Sequence, residues 1–156
     1  MTSKTEAAAI QLDDRLCLAL YSASRAMTAR YRPLLAALGL TYPQYLVMLL
    51  LWEDGSGSVG QIGARLGLES STLSPLVKRL ESMGLVVRHR DEHDERSVRV
   101  DVTSAGTRLQ KGSAGVTAAI CDAAALSLAT QARLVRQLRR LADDLEASTP
   151  GKSRTI

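Results

Sequence analysis

The sequence predicts a mainly α-helical chain with one small β-hairpin, arranged as a winged helix-turn-helix between N- and C-terminal helices that form a dimerisation region. Three observations carry this expectation. Two short helical segments, VGQIGARLGL and SSTLSPLVKRLESMGL, follow one another across a tight turn, and the second presents a polar outer face. Directly after it the apolar period changes from 3.6 to 2, as a strand pair requires. Apolar helical stretches on both sides are surplus to a minimal winged helix.

The elements follow in order. Residues 1–11 are polar and Ala-rich and read as a flexible tail. Asp13 is a plausible N-cap, and Leu12, Leu16, Leu20, Ala23 and Met27 recur on one face of a helix running to about Tyr31. Pro33 then punctuates the chain, and Leu34–Leu38 reads as a short helix stopped by Gly39. In TYPQYLVMLLLWEDG, Thr41 can cap, Pro43 sits harmlessly in the first turn, and the helix runs to Asp54-Gly55. Its all-round hydrophobicity marks a core helix. After a GSGS loop come the two short helices. The second is expected to start around Ser71 or Thr72, with Pro75 in or near its first turn and Gly84 as its stop. Leu73, Leu76, Val77, Leu80 and Met83 form its apolar face; Ser71, Ser74, Pro75, Lys78 and Ser82 lie opposite, flanked by Thr72 and Arg79.

LVVRHR and SVRVDVT read as strands, the second turning Val98, Val100 and Val102 one way and Arg99 and Asp101 the other, around a charged tip DEHDE. Thr103 or Ser104 can cap a C-terminal helical region broken near Thr130. Beyond the break, Leu134, Leu138, Leu141 and Leu145 make a heptad-like stripe among Arg133, Arg136, Arg139 and Arg140. Residues 148–156 read as a disordered tail. The expected organisation is thus one domain over 12–147, with the winged helix at 41–103 and the dimerisation helices at 12–40 and 104–147.

Composition narrows the function classes. The 156 residues are 46% apolar and 23% charged, the profile of a soluble globular chain. No run reaches the length of about 18 apolar residues that a bilayer span needs, and the N-terminus has no signal-like apolar region, so no membrane role and a cytoplasmic location are expected. Twenty basic against sixteen acidic residues give +4, compatible with a polyanionic partner. Four Tyr, one Trp and no Phe argue against a single-strand binder built on stacked aromatics.

A helix entering a DNA major groove needs short hydroxylated side chains near its N-terminus and cations for phosphates. Ser71, Thr72 and Ser74 offer the first, Lys78 and Arg79 the second; the same residues also read as an N-cap cluster and a solvated face. In the wing, Arg88, His89, Arg90, Arg96 and Arg99 are nearly cancelled by Asp91, Glu92, Asp94 and Glu95. The spacing Asp94-x-Arg96 suits a carboxylate that orients an arginine for a narrow minor groove, or an ordinary exposed ion pair. Together, in this order, the two features favour double-stranded DNA, read by a dimer over two half-sites.

The two cysteines add a second theme. Cys17, Tyr21, Ser24, Thr28 and Tyr31 form one stripe of the first long helix, and hydroxyl donors near a thiol support its thiolate form. Cys121 is the only other thiol. Each reads equally as a small buried hydrophobe. His89-x3-His93 beside Asp91, Asp94 and Glu95 is a weak metal pattern that fits a solvated wing better, and no metal or cofactor is expected.

The blocks LCLALYSASRAMTARYRPLLAALGLTYPQYLVMLLLWEDG and LGLESSTLSPLVKRLESMGLVVRHRDEHDERSVRVDVTSAG resemble the MarR family of winged-helix regulators, and within it the organic-hydroperoxide-sensing repressors of the OhrR type. DERSVRVDVT resembles the wing signature of the whole family; the LCxALY block with its downstream Tyr and LGLTYPQYLVML is more specific to the peroxide sensors. The resemblance implies a peroxide-reactive Cys17 held by Tyr21 and Tyr31, one of them from the partner subunit. It implies Cys121 as resolving thiol, forming a disulfide with Cys17 of the other subunit. It places Ser71 to Arg79, Pro75 included, in the major groove, and Arg96, oriented by Asp94, in the minor groove; Arg88 and Arg90 of the wing are expected as further DNA-binding residues. Ser71 and Ser74 stand where Gly and Thr are commoner in the family. The implied function is a homodimeric, non-enzymatic repressor released by organic hydroperoxide. Two alternatives are a MarR-type repressor released by a small phenolic or aromatic ligand and a thiol peroxidase. The peroxidase would leave the winged helix unexplained.

Overall fold

The computed structural model, which describes residues 11–91 and 97–148, contains six α-helices and a three-stranded antiparallel sheet. The order is α1 (Leu16–Ala36), α2 (Tyr42–Asp54), β1 (Ser56–Ser58), α3 (Val59–Leu66), α4 (Ser70–Ser82), β2 (Val86–Arg90), β3 (Val98–Val102), α5 (Ser104–Ala124) and α6 (Leu128–Ala147). Of the expected tails at 1–11 and 148–156, residues 1–10 and 149–156 lie outside the described residues, as does the wing tip at 92–96. The chain divides into two compact units, one ending at Thr117 and one beginning at Ala118.

In the first unit, α2 is the hub. Tyr45, Val47, Met48 and Leu51 are fully buried on it, as its all-round hydrophobicity requires. Against them pack Leu35 of α1, Ile62 of α3, Leu73, Val77 and Leu80 of α4, and Val100 of β3. Thr41 caps α2 in a reciprocal box: its backbone N–H donates to Gln44 Oε1 at 2.9 Å, while Gln44 N–H donates to Thr41 Oγ1 at 3.5 Å. Pro43 lies in the first turn, where no helical acceptor is lost. Thr41→Ala is expected to cost about 1 kcal/mol and to lower the melting temperature by about 3 °C, read by circular dichroism.

The structure corrects the sequence reading at several joints. Leu12–Asp14 is a 3-10 turn, and α1 starts only after Arg15, so Asp13 is not its N-cap. Pro33 does not end α1: the helix runs through it to Ala36. The proline leaves only the Ala29 carbonyl without its helical donor, and both residues are exposed, so water serves it. The GSGS segment is not a free loop, since Ser56, Gly57 and Ser58 pair with Asp101, Val100 and Arg99 as an edge strand. Helix α4 begins at Ser70, one or two residues earlier than expected, which makes Pro75 its sixth residue, in the second turn. Gly84, at φ +71°, ends the segment as expected, with Leu85 N–H returning to Leu80 O at 3.0 Å.

The hairpin pairs Val86–Arg90 with Val98–Val102, with Val100 buried and Arg99 and Asp101 on the opposite face. Thr103 caps α5, its Oγ1 accepting from Gly106 N–H at 3.1 Å. In the second unit the helical break falls at 125–127, ahead of Thr130, where Ala125 takes φ +51° and Ser127 caps α6. Among the described residues no single helix is long and apolar enough to cross a membrane.

Candidate DNA-binding face and thiol site

Helices α3 and α4 form the helix-turn-helix. Gly63 of α3 lies so close to the Leu68 carbonyl that an added Cβ would sit 2.7 Å from that oxygen, which sets how tightly the turn folds back. Leu73, Val77 and Leu80 bury one side of α4 and thereby turn the other outward. On that outer side Ser71, Thr72, Pro75, Lys78 and Arg79 are exposed and Ser74 is half-buried. The N-cap position belongs to Glu69, so the hydroxyls of Ser71, Thr72 and Ser74 do not cap the helix. Among the described residues no hydrogen bond or ion pair engages these three hydroxyls, the Lys78 ammonium or the Arg79 guanidinium, the Arg79 carbonyl alone accepting from Ser82 Oγ at 2.8 Å and from Met83 N–H at 3.1 Å.

Beside α4 stands the ribbon of β2 and β3. A cleft between them is lined by Ser70, Ser74, Lys78, Arg88, Ser97 and Val98. Arg90 is exposed at the end of β2. Arg88 is engaged by Glu81 of α4: its backbone N–H donates to Oε1 at 3.1 Å, its Nε donates to Oε2 at 2.8 Å, and its second guanidinium nitrogen lies 2.6 Å from Oε2. The hydrogen bond from Arg88 holds the Glu81 carboxyl below its ordinary value of 4.5. A lowered folded-state value means that the ionised pair is intact above 4.5 and is lost only as acid brings the pH through that lower value. Asp94 and Arg96 lie outside the described residues, as does His93. On the sheet's outer face Arg99 pairs with Asp91 and Asp101 and donates to Ser56 Oγ, and His89 Nδ1 lies 3.5 Å from Asp101.

The two thiols fall in different units. Cys17 is exposed and is the second residue of α1, where backbone N–H groups lack helical acceptors and the positive end of the helix dipole lies. Tyr21 follows one turn later, but its hydroxyl accepts from Arg25 at 3.1 Å, and the guanidinium also lies 5.5 Å from its ring centre. Tyr31 is fourteen residues along the same helix, about 21 Å from Cys17 at 1.5 Å per residue. The structure therefore does not bring Tyr31 to Cys17 of its own chain. Instead Tyr31 stacks on Tyr42 at 4.6 Å and meets Tyr45 at 5.8 Å, a packing the sequence reading missed because nothing in the α1 pattern points to α2. Burial pushes the Tyr42 phenol above its ordinary value, keeping it protonated. In the second unit Cys121 is half-buried, its Sγ 3.8 Å from Gln131 Oε1. No sequence signal marks Gln131.

A helix-turn-helix with free hydroxyls and cations on its second helix, beside a β-ribbon, is the architecture of a winged-helix transcription regulator. The sequence matches the family model described as transcriptional regulator SarA/Rot over residues 29–112. The chain belongs to this family of winged-helix transcriptional regulators, of MarR-like fold, and is not an enzyme. It is 48% identical over 102 residues to the organic hydroperoxide resistance transcriptional regulator of Bacillus subtilis, covering 65% of this chain and 69% of that one. It is 43% identical over 136 residues to the HTH-type transcriptional regulator TtmR of Methylorubrum extorquens, covering 87% and 70%. Reduced AbfR bound to DNA superposes with a TM-score of 0.71 at 34% identity, over 86% of this chain and 94% of that one. The disulfide form of AbfR gives 0.58 at 33% identity, over 87% and 90%.

Proposed function

We propose that the chain is a homodimeric, DNA-binding repressor whose affinity is switched by oxidation of Cys17. The observation that carries this reading is the placement of Cys17: a free, exposed thiol at the N-terminus of α1, in a chain of this family. The relative named for organic hydroperoxide resistance supplies the oxidant class. Ser71, Thr72, Ser74 and Pro75 face the major groove in this reading, Lys78 and Arg79 meet phosphates, and the wing carries Arg90, Asp94 and Arg96 to the minor groove with Arg88 at its base. Lys78→Ala is expected to weaken binding at every sequence and to lower the log–log salt slope by about 0.9 per subunit, measured by titrating duplex DNA over a salt series.

Dimerisation is supported by the apolar surface each unit exposes. Leu12, Leu16, Tyr21 and Met27 are 40–64% exposed in the first, and Leu128, Leu134, Leu138 and Leu145 are 40–82% exposed in the second. A second copy would also supply the hydroxyl that the long α1 keeps from its own thiol, as Tyr31 of the partner subunit.

Chemically, the Cys17 thiolate attacks the terminal oxygen of a hydroperoxide ROOH, breaking the O–O bond and yielding the sulfenic acid and the alkoxide RO−, which takes up the proton the thiol released on ionising and leaves as ROH. The thiol of Cys121 of the partner subunit then displaces water from the sulfenic sulfur, forming a disulfide. That bond would move the winged units out of register with two half-sites about 34 Å apart. Non-reducing electrophoresis with peptide mass mapping tests the step. One equivalent of hydroperoxide should give a covalent dimer joined Cys17 to Cys121. Cys121→Ser should stop at a sulfenic acid trapped by dimedone. Absence of both products would contradict the proposal.

A further inference from the structure

The sequence reading places Arg88 among the DNA contacts, but three features of its surroundings point to another role. First, its charge is already compensated. Two donors of Arg88 and a close ion pair converge on Glu81, which leaves little net attraction for a phosphate. Second, the partners sit on different elements: Glu81 in the last turn of α4, Arg88 in the middle of β2. Among the described residues this is the only ion pair that joins α4 to the sheet. Third, the two elements meet through a short turn around Gly84. That turn is held by Leu85 N–H to Leu80 O at 3.0 Å and by Thr103 Oγ1 donating to Gly84 O at 2.6 Å. A side-chain tie beyond the turn adds a second fixed point, and two points set an angle.

We propose that Glu81 and Arg88 form a strut that fixes the angle between the recognition helix α4 and the wing, so that Arg88 is a positioning residue acting through Glu81 and not a DNA contact. The inference rests on the DNA-binding reading above. Both elements must meet one duplex at once, α4 in the major groove and the wing beside it, so a loose angle forfeits contacts that neither partner makes itself. Two nitrogens of the planar Arg88 guanidinium meet Oε2 while the Arg88 backbone N–H holds Oε1, so both carboxylate oxygens are engaged.

The test measures affinity for the duplex lying upstream of the chain's own gene, by fluorescence anisotropy over a salt series. The variants are Glu81→Ala, Arg88→Ala, their double variant, and Lys78→Ala as phosphate-contact reference. A strut predicts that both single variants weaken binding by the same factor, about tenfold for a coupled pair. The double variant should bind no more weakly than either single one. The salt slope should stay at the wild-type value, while Lys78→Ala lowers it by about 0.9 per subunit. Exchange of the two residues, Glu81→Arg with Arg88→Glu, should recover part of the loss and guards against a variant that merely folds poorly. A lowered slope for Arg88→Ala, with affinity unchanged or raised for Glu81→Ala, would make Arg88 a phosphate contact and overturn the strut, as would additive single losses. Failure of the wild-type chain to bind the duplex would remove the DNA-binding reading itself, whereas a failed strut leaves wild-type binding intact.

Discussion

Cys17→Ser is expected to bind DNA as the wild-type chain does and to stay bound after organic hydroperoxide, while the wild-type chain releases. The size of the contrast follows from the geometry of two half-sites. A dimer that loses register keeps only its sequence-independent contacts, and specific binding typically exceeds these by about 10³-fold or more. Serine keeps the shape of the side chain but cannot be oxidised to a sulfenic acid, so the variant separates chemistry from packing. Because Cys17 is exposed at a helix end, the substitution makes no cavity in the core of either unit. Anisotropy titrations of both proteins with one equivalent of cumene hydroperoxide read the outcome directly. Equal release by the variant would move the sensing chemistry elsewhere.

The second large effect is structural. Gly106→Ala is expected to destabilise the first unit by about 2 kcal/mol. An added Cβ would collide with the Leu85 carbonyl oxygen and would lie 3.3 Å from the Met48 methyl. Alanine in a helix is favoured over glycine by about 1 kcal/mol, but a backbone oxygen cannot swing aside, which puts the overpacking at the upper end of its usual range, about 3 kcal/mol. The collision therefore wins. Gly106 also ties α5 to its cap and to α2: its N–H donates to Thr103 Oγ1 and its carbonyl accepts from Trp52 Nε1 at 2.9 Å. Trp52 is the chain's single tryptophan, so its fluorescence should shift with the substitution. Urea unfolding followed at Trp52 gives both quantities, and a wild-type midpoint would contradict the packing argument.

Where one face of an element meets the core, its sequence was readable. The apolar face of α4 buries Leu73, Val77 and Leu80 and half-buries Leu76, and β3 buries Val100, because burial imposes the period directly; Met83 and Val98, read onto the same faces, are exposed. Helix ends set by capping hydroxyls were also readable, as at Thr41 and Thr103, although the Gln44 half of the first box passed unnoticed despite its T-x-x-Q spacing. What was not readable depends on partners distant in sequence. Ser56–Ser58 has no strand propensity and is a strand only because β3 offers an edge. Pro33 reads as a helix end locally, yet the helix continues because its freed carbonyl faces water. The break before α6 turns on an alanine at positive φ, where no glycine signals it. At the site, the outer face of α4 was legible from its polarity. The Arg88–Glu81 pairing, the Tyr31–Tyr42 stack and the Cys121–Gln131 contact were not, since each joins side chains from separate elements.

The central claim joins two properties in one molecule, DNA binding and its loss on thiol oxidation. The most direct measurement is the affinity of the wild-type chain for the duplex upstream of its own gene, at one fixed salt concentration, before and after one equivalent of cumene hydroperoxide and again after dithiothreitol. The account predicts tight binding, release on oxidation, and recovery on reduction. Binding that is unchanged by the hydroperoxide would contradict the redox switch and leave a winged-helix regulator governed by another signal.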